Sequence, residues 1–156
     1  AAPVLARARK SGVPTVHLSS LTHPSASALD ESMNDHLINE NIDLVVLAGY
    51  MKKLGSRVLE AHRDRIINVH PSLLPRHGGP GFYGSRVHQA VIESGDSETG
   101  ATVHLVNNDY DMGKTLLQEK ISVNLDDTPD SLAARLRPIE HKLLIEVIQQ
   151  FSAGKK

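Results

Sequence analysis

The sequence predicts an α/β protein, a single domain over residues 1–156 in which helices flank a mostly parallel sheet and an antiparallel strand lies towards the C-terminus. Three observations carry this expectation. Helical and strand patterns alternate with short connections from residue 3 to residue 70, the order of βαβ units. Residues 43–48 (DLVVLA) form a nearly continuous apolar run ending at Gly49, as a parallel strand covered on both faces would. The link between the last two strand patterns is too short for a parallel crossover, so that pair is antiparallel.

Taken in order, residues 3–11 read as a short helix stopped by Gly12. Arg7, Arg9 and Lys10 fall in its last turns, where cations suit the negative end of the helix dipole. Residues 13–18 read as a strand weakened at its start by Pro14. After a polar loop over 22–27, Ser25 or Ser27 caps a helix reaching to about Asn41, with Leu29, Met33 and Leu37 four apart on one face. The 43–48 strand, a short helix over 56–62 and a strand over 66–70 follow. Residues 76–84 (RHGGPGFYG) are a loop with four glycines. Ser85 is the expected cap of a helix to about Ser94. Residues 99–107 alternate as a strand, with Ala101, Val103 and Leu105 on one face and Thr102, His104 and Val106 on the other. A tight 107–113 connection leads to the strand over 114–123. Thr128 and Pro129 supply a cap and a proline at the first helical position. The last helix carries Leu132, Leu136, Ile139, Leu143, Val147 and Phe151 at spacings of three and four, and Pro138 inside it predicts a kink or break.

Composition narrows the function. The chain is 40% apolar and 22% charged, ordinary for a globular domain of 156 residues. A net charge of -1 argues against nucleic-acid binding through a general basic field, and 3% aromatics with no Trp argue against a base-stacking platform. No apolar run approaches the roughly 18 residues of a membrane span, and no signal peptide is visible. Cysteine is absent, which removes disulfides, thiolate metal ligands and a cysteine nucleophile. A cytoplasmic location fits.

The stretch IINVHPSLLP over residues 66–75 concentrates the chemistry. Asn68 and His70 are two apart in a strand, so they share a face at its end, beside Pro71. An imidazole can move protons near neutral pH, and an amide N–H can stabilise a developing oxyanion. The plainer alternative is an amide capping a strand end and a hydrogen-bonded core histidine. Asp111, in the 107–113 turn, could orient an imidazole and favour its cation; Asp109 is a rival by the same logic, and either could simply bond its own backbone. His104 is either a support for the site or a solvated strand residue. His70, His77 and His88 are spaced by seven and eleven, which matches no standard metal-ligand pattern, so no metal is expected. The glycine loop lacks the phosphate-binding patterns. It is a surface turn or a backbone-exposing loop near a ligand. Glu140-His141 on the last helix reads as a solvated charged pair or as a ligand contact.

Three blocks together, VVLAGYM (45–51), INVHPSLLP (67–75) and GATVHLV (100–106) running into Asp111-Met112-Gly113, resemble the folate-dependent phosphoribosylglycinamide formyltransferases. The resemblance extends from Ala6-Arg7-Ala8-Arg9 to Glu140-His141. It implies a Rossmann-like formyltransferase fold and formyl transfer from 10-formyltetrahydrofolate, a co-substrate, to the amine of glycinamide ribonucleotide, without a metal. It also implies a catalytic trio of Asn68, His70 and Asp111, with His104 behind them. Folate contacts are then expected from Leu47, Tyr50, Met51, Leu54, Asn107, Asn108 and Asp109, and nucleotide contacts from Gly49, Met51, Pro71, Ser72 and Glu140. Expected partners are these small molecules, with neither nucleic acid nor membrane, in a monomer or homodimer. The family opens with a strand and a phosphate-gripping loop that have no counterpart here, so the domain is expected to be N-terminally incomplete. The glycine loop is longer than usual, Asn108 replaces an acidic residue, and Lys53 and Pro138 stand at unusual positions. The alternatives are a formyltetrahydrofolate deformylase, which uses the same trio with water as nucleophile, and a catalytically incomplete folate-binding remnant.

Overall fold

The computed structural model describes residues 3–154. Its elements are α1 (Pro3–Lys10), α2 (Ala26–Asn39), β1 (Val45–Leu47), α3 (Ser56–Ala61), β2 (Ile66–His70), α4 (Ser85–Glu93), β3 (Glu98–Leu105), β4 (Thr115–Ser122) and α5 (Pro129–Ala153). The four strands form one sheet in the order β1-β2-β3-β4. The α/β class and the antiparallel last strand agree with the sequence. The expected mostly parallel sheet is corrected: β1–β2 is the parallel pair, and β2–β3 and β3–β4 are antiparallel. The strand expected over 13–18 is also corrected, because that segment forms no strand and pairs with nothing in the sheet.

Period-two alternation sorts the sheet into two faces. One face gathers Ile67, Ala101 and Val103 with Leu143 and Val147 of α5. On the other, Ile66 joins Leu54, Val58 and Leu59, with Met33 and Leu37 of α2 packed against them. The stripe read from residues 29–37 thus meets the α3 segment. A third cluster, Val91 with Leu132 and Leu136, joins α4 to α5. These fourteen apolar side chains outweigh local defects. Of the kink or break expected at Pro138, the break is corrected: helix α5 runs on through the proline, with Leu132, Leu136, Leu143 and Val147 buried on either side of it. Losing one backbone bond costs less than surrendering two packed turns.

Polar groups fix the joints. The Ser25 hydroxyl accepts from the Ala28 N–H at 3.1 Å, which selects Ser25 over Ser27 as the cap of α2. The Asp30 carboxylate, buried on α2, accepts from the N–H groups of Arg57 (2.9 Å) and Val58 (3.3 Å) at the start of α3. It occupies the space a side chain at Gly55 would need: a Cβ there would lie 2.0 Å from the carboxyl carbon. Thr128 and Ser131 form the reciprocal cap of α5. Ser85, expected to cap α4, is instead its first helical residue; Gly84 takes the cap position at φ 55°, and no side chain caps that end. Among the described residues, no helix is long and apolar enough to cross a membrane.

Candidate active site

The β2–β3 register builds the site. Asn68 lies opposite His104 and His70 opposite Thr102, so the polar residues read on two separate strands share one sheet face. That face opens into a cleft of about 720 Å³ at the end of β2. Its walls are the segment after β1, the 107–111 connection, the glycine loop and the start of α5.

Four side chains converge within it. The His104 Nδ1–H donates to the Leu105 carbonyl at 2.8 Å. Its Nε2 is therefore the nitrogen that meets Asn68 Nδ2, at 3.2 Å, with Asp111 Oδ1 at 3.5 Å. An Asn68 amide turned this way spends one N–H on the imidazole and keeps a second for a ligand. On the other side of Asp111, Oδ2 stands 3.7 Å from His70 Nδ1 and accepts from the Gly79 N–H at 2.9 Å. His70 Nε2–H donates to the His77 carbonyl at 2.8 Å. Asp111 and His77 both sit in left-handed backbone, at φ 56° and 53°. That geometry costs a non-glycine residue on the order of 1 kcal/mol and persists where surrounding bonds hold it.

Electrostatics follow from this burial. Burial pushes the His70 imidazole below its ordinary value; the Asp111 charge and the His77 carbonyl oppose that, and the neighbouring His104 and His77 add to it. Burial works against the Asp111 carboxylate too, but the His104 ring 3.5 Å away, the Gly79 N–H and the neighbouring His70 outweigh it and leave the group below the usual carboxylate range. Both shifts run towards an ionised carboxylate beside a neutral imidazole, and in that form the bare ring nitrogen is Nδ1, on the Asp111 side.

The facing wall comes from α4 and α5. Asp130, Ala133, Arg137 and Glu140 line the cleft at helical spacing, and His88 of α4 joins them. Burial raises the Glu140 carboxyl, with His141 and Arg137 opposing. His88 is buried, its Nδ1 has no hydrogen-bond partner, and burial together with the His70 and Arg137 charges lowers it, against Asp130.

Fourteen of the fifteen residues singled out from the sequence line this cleft: Asn68, His70, His104 and Asp111; Leu47, Tyr50, Met51, Leu54, Asn107, Asn108 and Asp109; Gly49, Pro71 and Glu140. Ser72 does not. It is fully buried, and its hydroxyl donates to the Arg76 carbonyl, so its nucleotide contact is corrected to a loop-bracing role. His104 is buried rather than solvated. Asp109 lines the cleft without reaching the imidazoles, which separates it from Asp111. The glycine loop is part of the wall: Gly79, Gly81 and Gly84 border the cleft with Phe82 and Tyr83. Lys53 also lines it, with Nζ 5.9 Å above the Tyr110 ring. Sequence reasoning missed His88, Asp130 and Arg137 as cleft residues. The three-and-four spacing of 130, 133, 137 and 140 was the available signal.

Known proteins resemble this chain along nearly its whole length. The family model described as "Formyl transferase" matches residues 1–148. The chloroplastic phosphoribosylglycinamide formyltransferase of Arabidopsis thaliana is 42% identical over 142 residues, which is 90% of this chain and 49% of that protein. The phosphoribosylglycinamide formyltransferase of Haemophilus influenzae is 35% identical over 97% of this chain and 69% of its own length. Among solved structures, glycinamide ribonucleotide transformylase 1 from Symbiobacterium toebii superposes with a TM-score of 0.89 at 36% identity, covering 97% of this chain and 69% of that one. The chain therefore spans about half the length of the Arabidopsis relative and about two thirds of the bacterial ones. Family model, sequence relatives and backbone thus converge, and the chain belongs to the formyl transferase family.

Proposed function

We propose that this domain transfers the formyl group of 10-formyltetrahydrofolate to the amine of glycinamide ribonucleotide, a step of de novo purine synthesis. The observation that carries the reading is the convergence of Asn68, His70, His104 and Asp111 on one cleft in a formyl transferase chain. Leu47, Tyr50, Met51, Leu54 and residues 107–109 suit a folate ring system; Gly49, Pro71 and Glu140 suit the amine end of the nucleotide.

The chemistry follows from the protonation states. The amine lone pair attacks the formyl carbon, and the carbonyl electrons move onto oxygen, where the spare Asn68 N–H stabilises the oxyanion. The nitrogen, now positive, gives a proton to the neutral His70 Nδ1. Asp111 stabilises the imidazolium across 3.7 Å. His70 then returns that proton to the folate nitrogen as the carbon–nitrogen bond breaks and the carbonyl re-forms. One histidine thus serves as base and then as acid, and no metal takes part. The proposed setting is cytoplasmic, with the protein a monomer or homodimer.

The test is an assay of formylated nucleotide and tetrahydrofolate with both substrates supplied, in the protein and in His70→Ala. The expected result is equimolar product that falls by a factor of about 100 to 10,000 in the variant. Formate release that needs no amine would point instead to the hydrolase, and folate binding without turnover to a non-catalytic binder. Wild-type turnover by His70→Ala would remove His70 from the mechanism.

A further inference from the structure

We infer that Asp96, in the turn between α4 and β3, is a positioning residue that holds the His70–Asp111 pair through the 76–79 loop. This inference rests on His70 and Asp111 being the reacting pair. Asp96 touches neither, but it holds both residues of the loop's first half. Its Oδ2 accepts from His77 Nε2–H at 2.6 Å, and its Oδ1 pairs with the Arg76 guanidinium. The carboxylate is nearly buried, with 9% of the side chain exposed, and the His77 bond is the leading cause that keeps it below the usual carboxylate range.

The loop passes this anchoring on through backbone alone. The His77 carbonyl accepts from His70 Nε2–H, and two residues on the Gly79 N–H donates to Asp111 Oδ2. One short segment therefore grips both members of the pair. His77 holds its left-handed backbone, at φ 53°, while its ring is tied to Asp96. Untying the ring frees the residue to leave that conformation and take its carbonyl off His70.

The carbonyl also selects the tautomer. While it accepts from Nε2–H, the neutral His70 ring carries its proton on Nε2 and leaves Nδ1 bare towards Asp111, the form the proposed proton transfer needs. The other charged or titratable groups about this ring are His104 of β3 and His88 of α4. Neither contacts the loop through a hydrogen bond.

The test uses ¹⁵N spectra of the His70 ring at a pH where it is neutral, with steady-state kinetics alongside. Asp96→Asn keeps the shape and removes the charge. His77→Phe keeps the ring bulk beside Phe82 and removes the bond to Asp96, and it carries the test if Asp96→Asn does not fold. The expected result is one Nε2–H tautomer in the wild type and a mixture in each variant. Turnover should fall about tenfold with KM for the formyl donor within about twofold, since small misplacements at reacting groups cost this much or more. The double variant should be no worse than the poorer single one. An unchanged ring spectrum overturns the inference whether or not turnover falls, as do additive losses in the double variant. The spectrum needs no catalysis, so a wild type with the locked tautomer but no formyl transfer would sink the proposed function and leave the positioning role standing.

Discussion

The two walls of the cleft are built on different terms. On the sheet side, His70, His104, Asn68 and Asp111 each have a named partner, and two of the bonds come from main-chain groups of one loop. On the α4–α5 side, His88 has an unpartnered buried nitrogen, burial disfavours the charged form of Glu140, and Arg137 forms none of the ion pairs seen elsewhere in the described residues. A satisfied network is rigid and pre-aimed, as reacting groups must be. An unsatisfied wall keeps its hydrogen-bonding capacity for whatever enters. The first wall suits chemistry and the second recognition.

The contrast breaks first at Asp111. Asp111→Asn keeps the shape but removes the charge that supports the His70 cation, so turnover should fall by a factor of about 1,000 with little change in substrate affinity; a change confined to KM would place Asp111 on the recognition side. Asn68→Ala should lower turnover by a factor of about 100 to 1,000, the cost of one oxyanion donor, as stopped-flow or steady-state assays can read. Glu140→Gln should behave oppositely. It should raise KM for the amine substrate by about tenfold and leave turnover within a few-fold. It should also raise the melting temperature of the free protein at pH 7. A carboxyl whose folded value is raised binds more protons folded than unfolded, so it detracts from stability once pH exceeds the ordinary carboxyl value near 4.3, and the amide removes that penalty. A lower melting temperature would mean that Glu140 braces the fold.

The smallest expected effect concerns His88. Its folded value is lowered, so the unfolded chain binds more protons as pH drops below about 6.5, and stability is lost in that direction. His62 and His70 are lowered by burial too and contribute with the same sign. His88→Leu should remove one of the three contributions, flatten the decline in melting temperature on acidification, and add about 1 kcal/mol at pH 7 by removing an unpaired buried nitrogen. A steeper decline would contradict the picture of an unsatisfied wall.

Much of the chemistry was legible because strand periodicity is simple. Two residues apart in 66–70 meant one face, and alternation in 99–107 put His104 on the matching face. What could not be read was through-space closure. Nothing in spacing prefers Asp111 to Asp109; the choice is made by a left-handed turn and by an N–H from Gly79, which is 32 residues away. The parallel direction expected for most of the sheet failed because alternation of elements says nothing about β2 and β3, which α4 joins with antiparallel polarity. The segment over 13–18 had a strand-like pattern but acquires no hydrogen-bonding neighbour in the sheet, and propensity without a partner is weak. No break occurs at Pro138 because the helix is anchored on both sides of it by buried leucines. Ser72 sat inside the most telling motif and still turned inwards, since a motif does not say which of its members face the ligand.

Asp30 and Gly55 carry a lesson of another kind. The carboxylate that caps α3 fills the volume where any side chain at position 55 would begin. Neither position can change alone without either a collision or an uncapped helix. In the history of such sequences the two should have drifted as one character, so that a chain with a larger residue at 55 has also given up the aspartate and found another way to end its helix. Co-variation between two sites 25 positions apart, neither of them in the cleft, would then record the shape of a joint rather than the demands of a reaction.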